Sequence, residues 1–328
     1  MSVSDFISLL GGVALFLFGM SIMGDALKKV AGNQLELVLY NLTSTPIKGV
    51  LLGTGVTAVI QSSSATSVMV VGFVNSGMMK VNQAIGIVLG AILGTSVTGW
   101  VLCLSNLSGG GWVALLSTST LTALMATIGT LLRMISRKQT TRHVGEILLG
   151  FAVLMYGMTA MSGAVEPLRE SEVFINAMTS FANPLLGILV GIVFTSVIQS
   201  ASAAVGILQA LSTTGAITYS AAIPIILGQN IGTCITAFLS SLGGSKNARR
   251  TAMVHFYFNL IGSIAFLVAI YAVQYAVGFS FWENPIDKGG IANFHTLFNV
   301  TMTALWLPLV SVMVKIVMAI LPEKPRRP

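Results

Sequence analysis

Four consecutive polar residues, Gln61-Ser62-Ser63-Ser64, lie within a stretch that contains no Asp, Glu, Lys or Arg from Gly49 to Met79. Hydroxyl and amide groups without partners are costly in an apolar medium, so four in a row are difficult to explain by chance. A second such run, Gln199-Ser200-Ala201-Ser202, occurs later in the chain. A single Ser in a membrane helix usually mediates helix packing, whereas a duplicated cluster predicts a ligand site.

The composition places the chain in the membrane class. Of its 328 residues, 54% are hydrophobic and 8% are charged, against about 25% charged residues in a typical soluble domain. A spanning helix needs roughly 20 apolar residues, and the charge-free stretches hold seven predicted spans and two shorter hairpins. The predicted spans are residues 4–23, 82–102, 112–132, 146–162, 222–240, 253–277 and 294–320.

The distribution of basic residues predicts the topology. The first hairpin, residues 47–75, is flanked by Lys48 and Lys80, so both of its ends are expected on the cytoplasmic side. Its first limb is too short to cross the bilayer, which predicts a re-entrant hairpin. The second hairpin, residues 184–214, has no basic flank and is expected to enter from outside. We therefore predict a multi-pass protein of the cell membrane with its N-terminus outside and its C-terminus in the cytoplasm.

An internal repeat extends without gaps from Leu15 to Thr98, with its matching positions all at one separation from their counterparts in the second half of the chain. The repeat offset is this separation, for example from Gln61 to Gln199. Three predicted spans separate the hairpins, an odd number, so the copies should have opposite orientations. The predicted fold class is an all-α integral membrane protein with two inverted-topology repeats, each with a re-entrant helical hairpin and a broken helix at the midplane. The predicted divisions are repeat 1 (1–133), a cytoplasmic linker (134–145), repeat 2 (146–277), and an outer loop, last helix and basic tail (278–328).

The hairpin tips are the first candidate site. A helix break exposes backbone amides at the start of the second limb, and these attract anions. Serine hydroxyls would add further donors. The predicted anion-binding residues are Ser62, Ser63, Ser64, Ser200, Ala201 and Ser202.

The second candidate site is Gly94-Thr95-Ser96-Val97-Thr98 with its counterpart Gly232-Thr233-Cys234-Ile235-Thr236. A glycine before the threonines would permit an unwound turn, and hydroxyl and carbonyl oxygens are suitable ligands for Na⁺. The alternative is a tight glycine-mediated helix crossing. Gln229-Asn230 have Ala91-Ile92 as counterparts, and this asymmetry is explained equally well by function or by local packing.

No carboxylate lies deep in any predicted span, although proton-coupled carriers generally use one. His255 and His295 are expected to be interfacial residues rather than proton relays. No Arg or Lys is predicted to lie deep in a span either, so helix ends, hydroxyls and a co-bound cation would have to stabilise a bound anion. Coupling to Na⁺ satisfies that requirement.

At the duplicated Gln-Ser-Ser-Ser and Gln-Ser-Ala-Ser stretches, the chain resembles the sodium/phosphate cotransporter family, the type II kind and its bacterial relatives. The resemblance implies symport of inorganic phosphate with Na⁺ by alternating access, with the hairpin serines binding phosphate. It also implies that sodium is bound by Gln199, Ser200, Thr233 and Thr236 and, through the repeat, by Gln61, Ser62, Thr95 and Thr98. Thr57, Thr195 and Asn230 are expected to lie behind these ligands.

Two features depart from that family's pattern. Ala201 stands where the family has a serine, so one hydroxyl is missing from the second tip. Many bacterial members carry a cytoplasmic domain similar to the phosphate-signalling protein PhoU after the last span, whereas this chain ends at Pro328. A PhoU-like regulatory domain or protein on the cytoplasmic side is therefore an expected partner.

Three alternative functions remain open on the sequence alone. They are a sodium-coupled carrier of another oxyanion such as sulfate or arsenate, a phosphate sensor that does not transport, and an intramembrane serine hydrolase. The hydrolase needs a base within reach of a serine, and nothing in the sequence pairs His255 with one. We therefore predict a transporter rather than an enzyme, with inorganic phosphate, sodium ions and the lipid bilayer as its partners and no role for nucleic acid.

Overall fold

The computed structural model of this chain describes residues 3–31, 45–103, 118–242 and 244–322, which form a bundle of helices. Two short 3₁₀ segments, Glu166–Glu170 and Leu307–Leu309, and one antiparallel bridge between Thr218 and Pro285 supplement the helices. The helices are α1 (Val3–Ala31), α2 (Pro46–Ile60), α3 (Ser63–Asn75), α4 (Val81–Cys103), α5 (Thr118–Ile135), α6 (Gln139–Val165), α7 (Glu172–Ser180), α8 (Pro184–Ile198), α9 (Ala201–Ser212), α10 (Tyr219–Gly232), α11 (Cys234–Ser241), α12 (Lys246–Ala276), α13 (Lys288–Trp306) and α14 (Val310–Ile320).

Six helical segments of the described residues are long and apolar enough to cross a membrane. They correspond to α1, α4, α6, α10 with α11, α12, and α13 with α14. The predicted all-α membrane class is confirmed. The predicted span at residues 112–132 lies partly outside the described residues, and its described part begins with α5 at Thr118. Helix α6 already begins at Gln139, within the stretch predicted as a linker.

Helices α1 and α6 pack closely and antiparallel. A Cβ at Gly19 would overlap the backbone of Leu154, and a Cβ at Gly157 would overlap the backbone of Phe16. Gly19 and Gly157 are related by the repeat offset, and so are Phe16 and Leu154. The same contact therefore occurs twice with the two copies exchanged, as at an isologous interface.

Equivalent glycine crossings join each hairpin to the helix that follows it. Gly53 on α2 lies against the carbonyl of Ile87 on α4, and Gly191 on α8 lies against the carbonyl of Ile225 on α10. Both pairs are related by the repeat offset. In each case a Cβ would overlap backbone atoms, so only glycine permits this approach.

The larger apolar core lies where α4 and α10 meet α12, α13 and α14, with Ile87, Leu227, Phe258 and Phe298 fully buried. Outward-facing helices such as α1 expose large apolar side chains, including Phe6 and Phe18. Exposed apolar surface of this kind suits contact with lipid.

The histidines expected at the membrane interface, His255 and His295, are both buried within the protein. Their exposed fractions are 3% and 1%, because both face neighbouring helices rather than the end of a span. The His255 carbonyl accepts a hydrogen bond from the Cys234 thiol on α11, at a Sγ–O distance of 3.4 Å. The position of each histidine near a helix start therefore does not predict its exposure.

Candidate functional site

Each polar run lies at a break between two consecutive helices. Gln61 separates α2 from α3 with φ 57° and ψ 26°, and Gln199 follows α8 with φ 57° and ψ 24°. These are the only non-glycine residues with positive φ in the described part of the chain. The left-handed conformation costs a non-glycine residue about 1–2 kcal/mol. Strain retained at both equivalent positions points to a functional site.

The second limb of each hairpin begins with a serine cap. The Ser62 hydroxyl accepts from the backbone N–H of Ala65 at 3.1 Å, and the Ser200 hydroxyl accepts from that of Ala203 at 3.2 Å. Serine is among the preferred N-cap residues, so the sequence itself specifies where α3 and α9 start. Other amides of the first turn have no acceptor within the helix and can bind an anion.

The two tips are in contact. The Ser64 hydroxyl donates to the main-chain carbonyl of Gln199 over 3.4 Å, which joins the start of α3 to the end of α8. Ser63 and Ser202 are buried in the protein, with exposed fractions of 8% and 4%. The structure therefore brings the two duplicated runs together, with Ser63 and Ser202 buried and the contact between Ser64 and Gln199 exposed.

Behind the breaks, the two copies differ. In the first copy the Thr57 hydroxyl donates to the Thr66 hydroxyl at 2.9 Å. The residue equivalent to Thr66 in the second copy is Ala204. The Thr195 hydroxyl is consequently buried without a hydrogen-bond partner among the described residues.

The threonine segments pack directly against these residues. A Cβ at Gly94 would meet the side chain of Thr57, and a Cβ at Gly232 would meet that of Thr195. Each hairpin thus lies beside the glycine that precedes its threonines.

The unwound turn predicted at Gly94 is wrong, because α4 continues as a regular helix from Val81 to Cys103. The Thr95 hydroxyl folds back onto the Ala91 carbonyl at 3.1 Å, a bond that an intact helix allows. In the second copy the helix is interrupted at Thr233, between α10 and α11. The broken helix is therefore found in one copy.

Oxygen atoms without partners collect around the tips and the threonine segments. Four of the buried oxygens that have no partner among the described residues are Gln61 Oε1, Thr98 Oγ1, Thr195 Oγ1 and Gln229 Oε1. Buried polar atoms normally have partners, so each exception requires an explanation. Amide and hydroxyl oxygens are the kind of ligand that a small, hard cation takes.

A family model described as Na⁺/Pi-cotransporter matches residues 15–163 and 166–282. The chain belongs to the Na⁺/Pi-cotransporter family. This is a family of transporters, which supports the interpretation of the chain as a non-enzyme. No solved structure matches the chain.

Relatives with related sequences occur in bacteria and animals. The chain is 30% identical over 316 residues to "Uncharacterized protein YqeW" of Bacillus subtilis, covering 95% of this chain and 97% of that protein. It is 26% identical over 321 residues to "Putative inorganic phosphate export protein YjbB" of Escherichia coli, covering 97% of this chain and 56% of that protein. "Sodium-dependent phosphate transport protein 2B" of Homo sapiens is 35% identical over 108 residues, which are 31% of this chain and 16% of that protein. The chain thus spans about half the length of YjbB.

Two neighbouring side-chain amides, Gln229 and Asn230, form hydrogen bonds in the second copy of this Na⁺/Pi-cotransporter family member. Gln229 donates from Nε2 to the Ala204 carbonyl on α9 at 3.1 Å, and Asn230 donates to the Ile226 carbonyl of its own helix at 3.1 Å. Gln229 therefore bridges α10 to the second limb of the hairpin. The sequence alone did not decide the role of Gln229. Its counterpart in the first copy is Ala91, which already indicated that the two copies differ here.

Two further polar residues beside the threonine segments were missed by the sequence analysis. Asn259 on α12 donates to Cys234, which follows Thr233, and Asn299 on α13 donates to Ser96, which follows Thr95. Both asparagines follow a histidine by four positions and a phenylalanine by one. This repeated pattern was the available signal.

Proposed function

We propose that this chain is a sodium-coupled symporter of inorganic phosphate in the cell membrane, with its N-terminus outside and its C-terminus in the cytoplasm. The observation that carries the proposal is the contact between Ser64 and Gln199. It joins two helix breaks that have the same backbone conformation. The N-terminal ends of α3 and α9, the second limbs of the two hairpins, therefore lie close together.

The packing of α1 on α6 supports an inverted-repeat architecture. Reciprocal antiparallel contacts imply a local two-fold axis perpendicular to the two helices. If α1 and α6 cross the membrane, that axis lies near the membrane plane. Copies related in this way have opposite orientations, as in other secondary transporters.

The lengths of the hairpin limbs support re-entry rather than crossing. Helices α2 and α8 have 15 residues each, and α3 and α9 have 13 and 12. At 1.5 Å per residue these limbs reach about 18–22 Å, less than the roughly 30 Å of the hydrocarbon core. Breaks at Gln61 and Gln199 would then lie inside the membrane.

Phosphate would bind between the tips. The first-turn amides of α3 and α9, together with the hydroxyls of Ser63 and Ser202, supply donors without a fixed positive charge. Ser62, Ser64 and Ser200 complete the set, and the backbone at Ala201 replaces a hydroxyl. Such a site favours an anion that enters with a cation, because the cation lowers the electrostatic cost of the anion at low dielectric.

Sodium would bind beside the tips through neutral oxygens. The proposed ligands are drawn from the hairpin glutamines and serines and from the threonine segments, namely Gln61, Gln199, Ser200, Thr95, Thr98, Thr233 and Thr236. The buried, unpartnered oxygens of Gln61 and Thr98 support this assignment. Movement of one copy relative to the other about the shared site would then give alternating access.

The experiment is sodium-dependent uptake of labelled phosphate into proteoliposomes. We expect uptake to require an inward sodium gradient, and Thr233→Val to raise the sodium concentration for half-maximal uptake. The matched control is Thr54→Val, since the Thr54 hydroxyl, like that of Thr233, donates to a main-chain carbonyl but is not a proposed sodium ligand. Equal uptake in sodium and choline would contradict the proposal. Preferential uptake of sulfate would favour another oxyanion, and binding without uptake would favour a sensor.

A second candidate function is phosphate export. It is favoured by the name of YjbB, whose similarity covers nearly the whole of this chain. The same architecture can move phosphate in either direction, because the net flux follows the combined gradients. Proteoliposomes loaded with labelled phosphate and assayed with the sodium gradient in each direction separate the two. Efflux that ignores the sodium gradient would favour an exporter that is not coupled to sodium.

A further inference from the structure

A second internal duplication links α12 and α13. Residues His255–Ser263 and His295–Thr303 share the pattern His-x-x-Phe-Asn-x-x-x-Ser/Thr. The histidine, phenylalanine and asparagine of both segments are buried. The two segments lie much closer together in sequence than the repeat offset that separates the hairpins, so the pattern is a separate feature of the chain.

The two asparagines contact equivalent positions of the two copies. Asn299 donates from Nδ2 to the Ser96 hydroxyl at 2.9 Å and to the Ile92 carbonyl at 3.1 Å. Asn259 donates from Nδ2 to the Cys234 sulfur at 3.3 Å. Ser96 and Cys234 are related by the repeat offset. Helix α13 therefore packs on the first copy in the way that α12 packs on the second.

Each contact is adjacent to a proposed sodium ligand. Ser96 directly follows Thr95, and Cys234 directly follows Thr233. The Cys234 thiol in turn donates to the His255 carbonyl, at 3.4 Å. The asparagine side chains thus tie the side chain that follows each threonine to a helix outside the hairpin.

Packing alone does not explain these two amides. The oxygens Asn259 Oδ1 and Asn299 Oδ1 are both buried without a partner among the described residues. An unpaired buried carbonyl oxygen is unfavourable, and a leucine of similar size would avoid that cost. The same unfavourable group at both equivalent places indicates a role beyond stability.

We propose that Asn259 and Asn299 are positioning residues for sodium coupling, each holding one threonine segment in the register that its cation site requires. The inference rests on the proposed function. Because the Cys234 sulfur is a weaker acceptor than the Ser96 hydroxyl, the first copy is held more firmly than the second.

The test compares sodium activation of phosphate uptake in Asn259→Leu, Asn299→Leu and Ser96→Ala with the wild type. We expect the half-maximal sodium concentration to rise about two- to tenfold, the range that loss of one hydrogen bond gives. The KM for phosphate at saturating sodium should stay within about twofold of the wild type, since the asparagines contact the threonine segments rather than the tips. Cys234→Ser, which keeps an acceptor, should leave the sodium curve unchanged or shift it to lower concentrations.

The matched control is Ser263→Ala on α12, which removes a buried hydrogen bond to the Leu227 carbonyl away from the threonines. We expect this variant to keep the wild-type sodium curve. If wild-type uptake depends on sodium but the asparagine variants and Ser96→Ala keep the wild-type half-maximal sodium concentration, this inference alone is overturned. An equal rise of that concentration in Ser263→Ala would also overturn it. Wild-type uptake that does not depend on sodium would overturn the proposed function and this inference together. If an asparagine variant does not fold, the variant of its acceptor decides, namely Ser96→Ala for Asn299 and Cys234→Ala for Asn259, because each keeps the asparagine and removes the acceptor side chain.

Discussion

The tips at Gln61 and Gln199 have the same backbone and different surroundings. Both residues are left-handed, and each N–H donates to the carbonyl four residues earlier at 2.7 Å. The Gln61 side chain is buried and its amide donates to the Ala58 carbonyl, whereas the Gln199 side chain is exposed. Each break is therefore specified by the local sequence, while the exposure of its glutamine to solvent is determined by the neighbouring helices. Unequal access at equivalent sites is what alternation between two states requires.

The largest effect should come from the crossings that both copies share. In Gly53→Val and Gly191→Val the new side chain overlaps backbone atoms of α4 or α10, and overpacking of this kind costs about 1–3 kcal/mol or more. We expect loss of monodisperse protein, or a large drop in Tm, for both variants.

The control for this prediction is Gly55→Ala on the same helix as Gly53, because a Cβ at Gly55 would meet nothing within 4 Å. It should keep or raise the Tm, since alanine is the better helix former. A wild-type Tm for Gly191→Val alone would break the equivalence of the two copies.

The next effect concerns the one position at which the tips differ in hydroxyl content, Ser63 against Ala201. Loss of a hydrogen bond to a charged group costs about 1.5–3 kcal/mol, so Ser63→Ala should raise the KM for phosphate roughly tenfold or more. Ala201→Ser should lower it by a smaller factor. Uptake kinetics at saturating sodium would check both, and an unchanged KM in Ser63→Ala would remove that serine from the phosphate site.

A smaller effect is expected from relieving the backbone strain at the tips. Gln199→Gly removes the left-handed penalty, so stability should stay the same or rise by up to about 1 kcal/mol. The sodium concentration for half-maximal uptake should nevertheless increase, because the side-chain oxygen is lost. Gln199→Gly should therefore keep or raise the Tm while its apparent affinity for sodium falls. Reduced stability with an unchanged sodium curve would make Gln199 a purely structural residue.

The smallest effect separates Thr57 from Thr195. Thr57→Val breaks a buried hydroxyl pair and should lower stability by about 1 kcal/mol. Thr195→Val removes a hydroxyl that has no partner in the described structure, so the Tm should be unchanged or higher. Equal losses of Tm in the two variants would show that Thr195 is bonded as Thr57 is.

Local sequence signals predicted the breaks and their equivalence. A polar run inside a charge-free stretch, a first limb too short to cross the bilayer and a gap-free repeat offset are sufficient for that, because all three are read directly from the order of residues. The sequence did not predict that α4 continues through Gly94, since tertiary packing overrides the low helix propensity of one glycine.

The contact of α13 with the first copy could not be predicted from the sequence. That pairing joins Asn299 to Ser96 across 203 residues, and no local periodicity reports it. The burial of His255 was missed for the same reason, because the apolar residues around it do not distinguish a lipid-facing side from a protein-facing side.

The most direct test of the shared tip site is a structure of the protein determined in sodium and phosphate by cryo-electron microscopy. We expect tetrahedral density between the first turns of α3 and α9, in contact with Ser63 and Ser202. Phosphate density elsewhere, for example in the cavity lined by Ser212, Asp287 and Lys288, with none between the tips, would contradict the account.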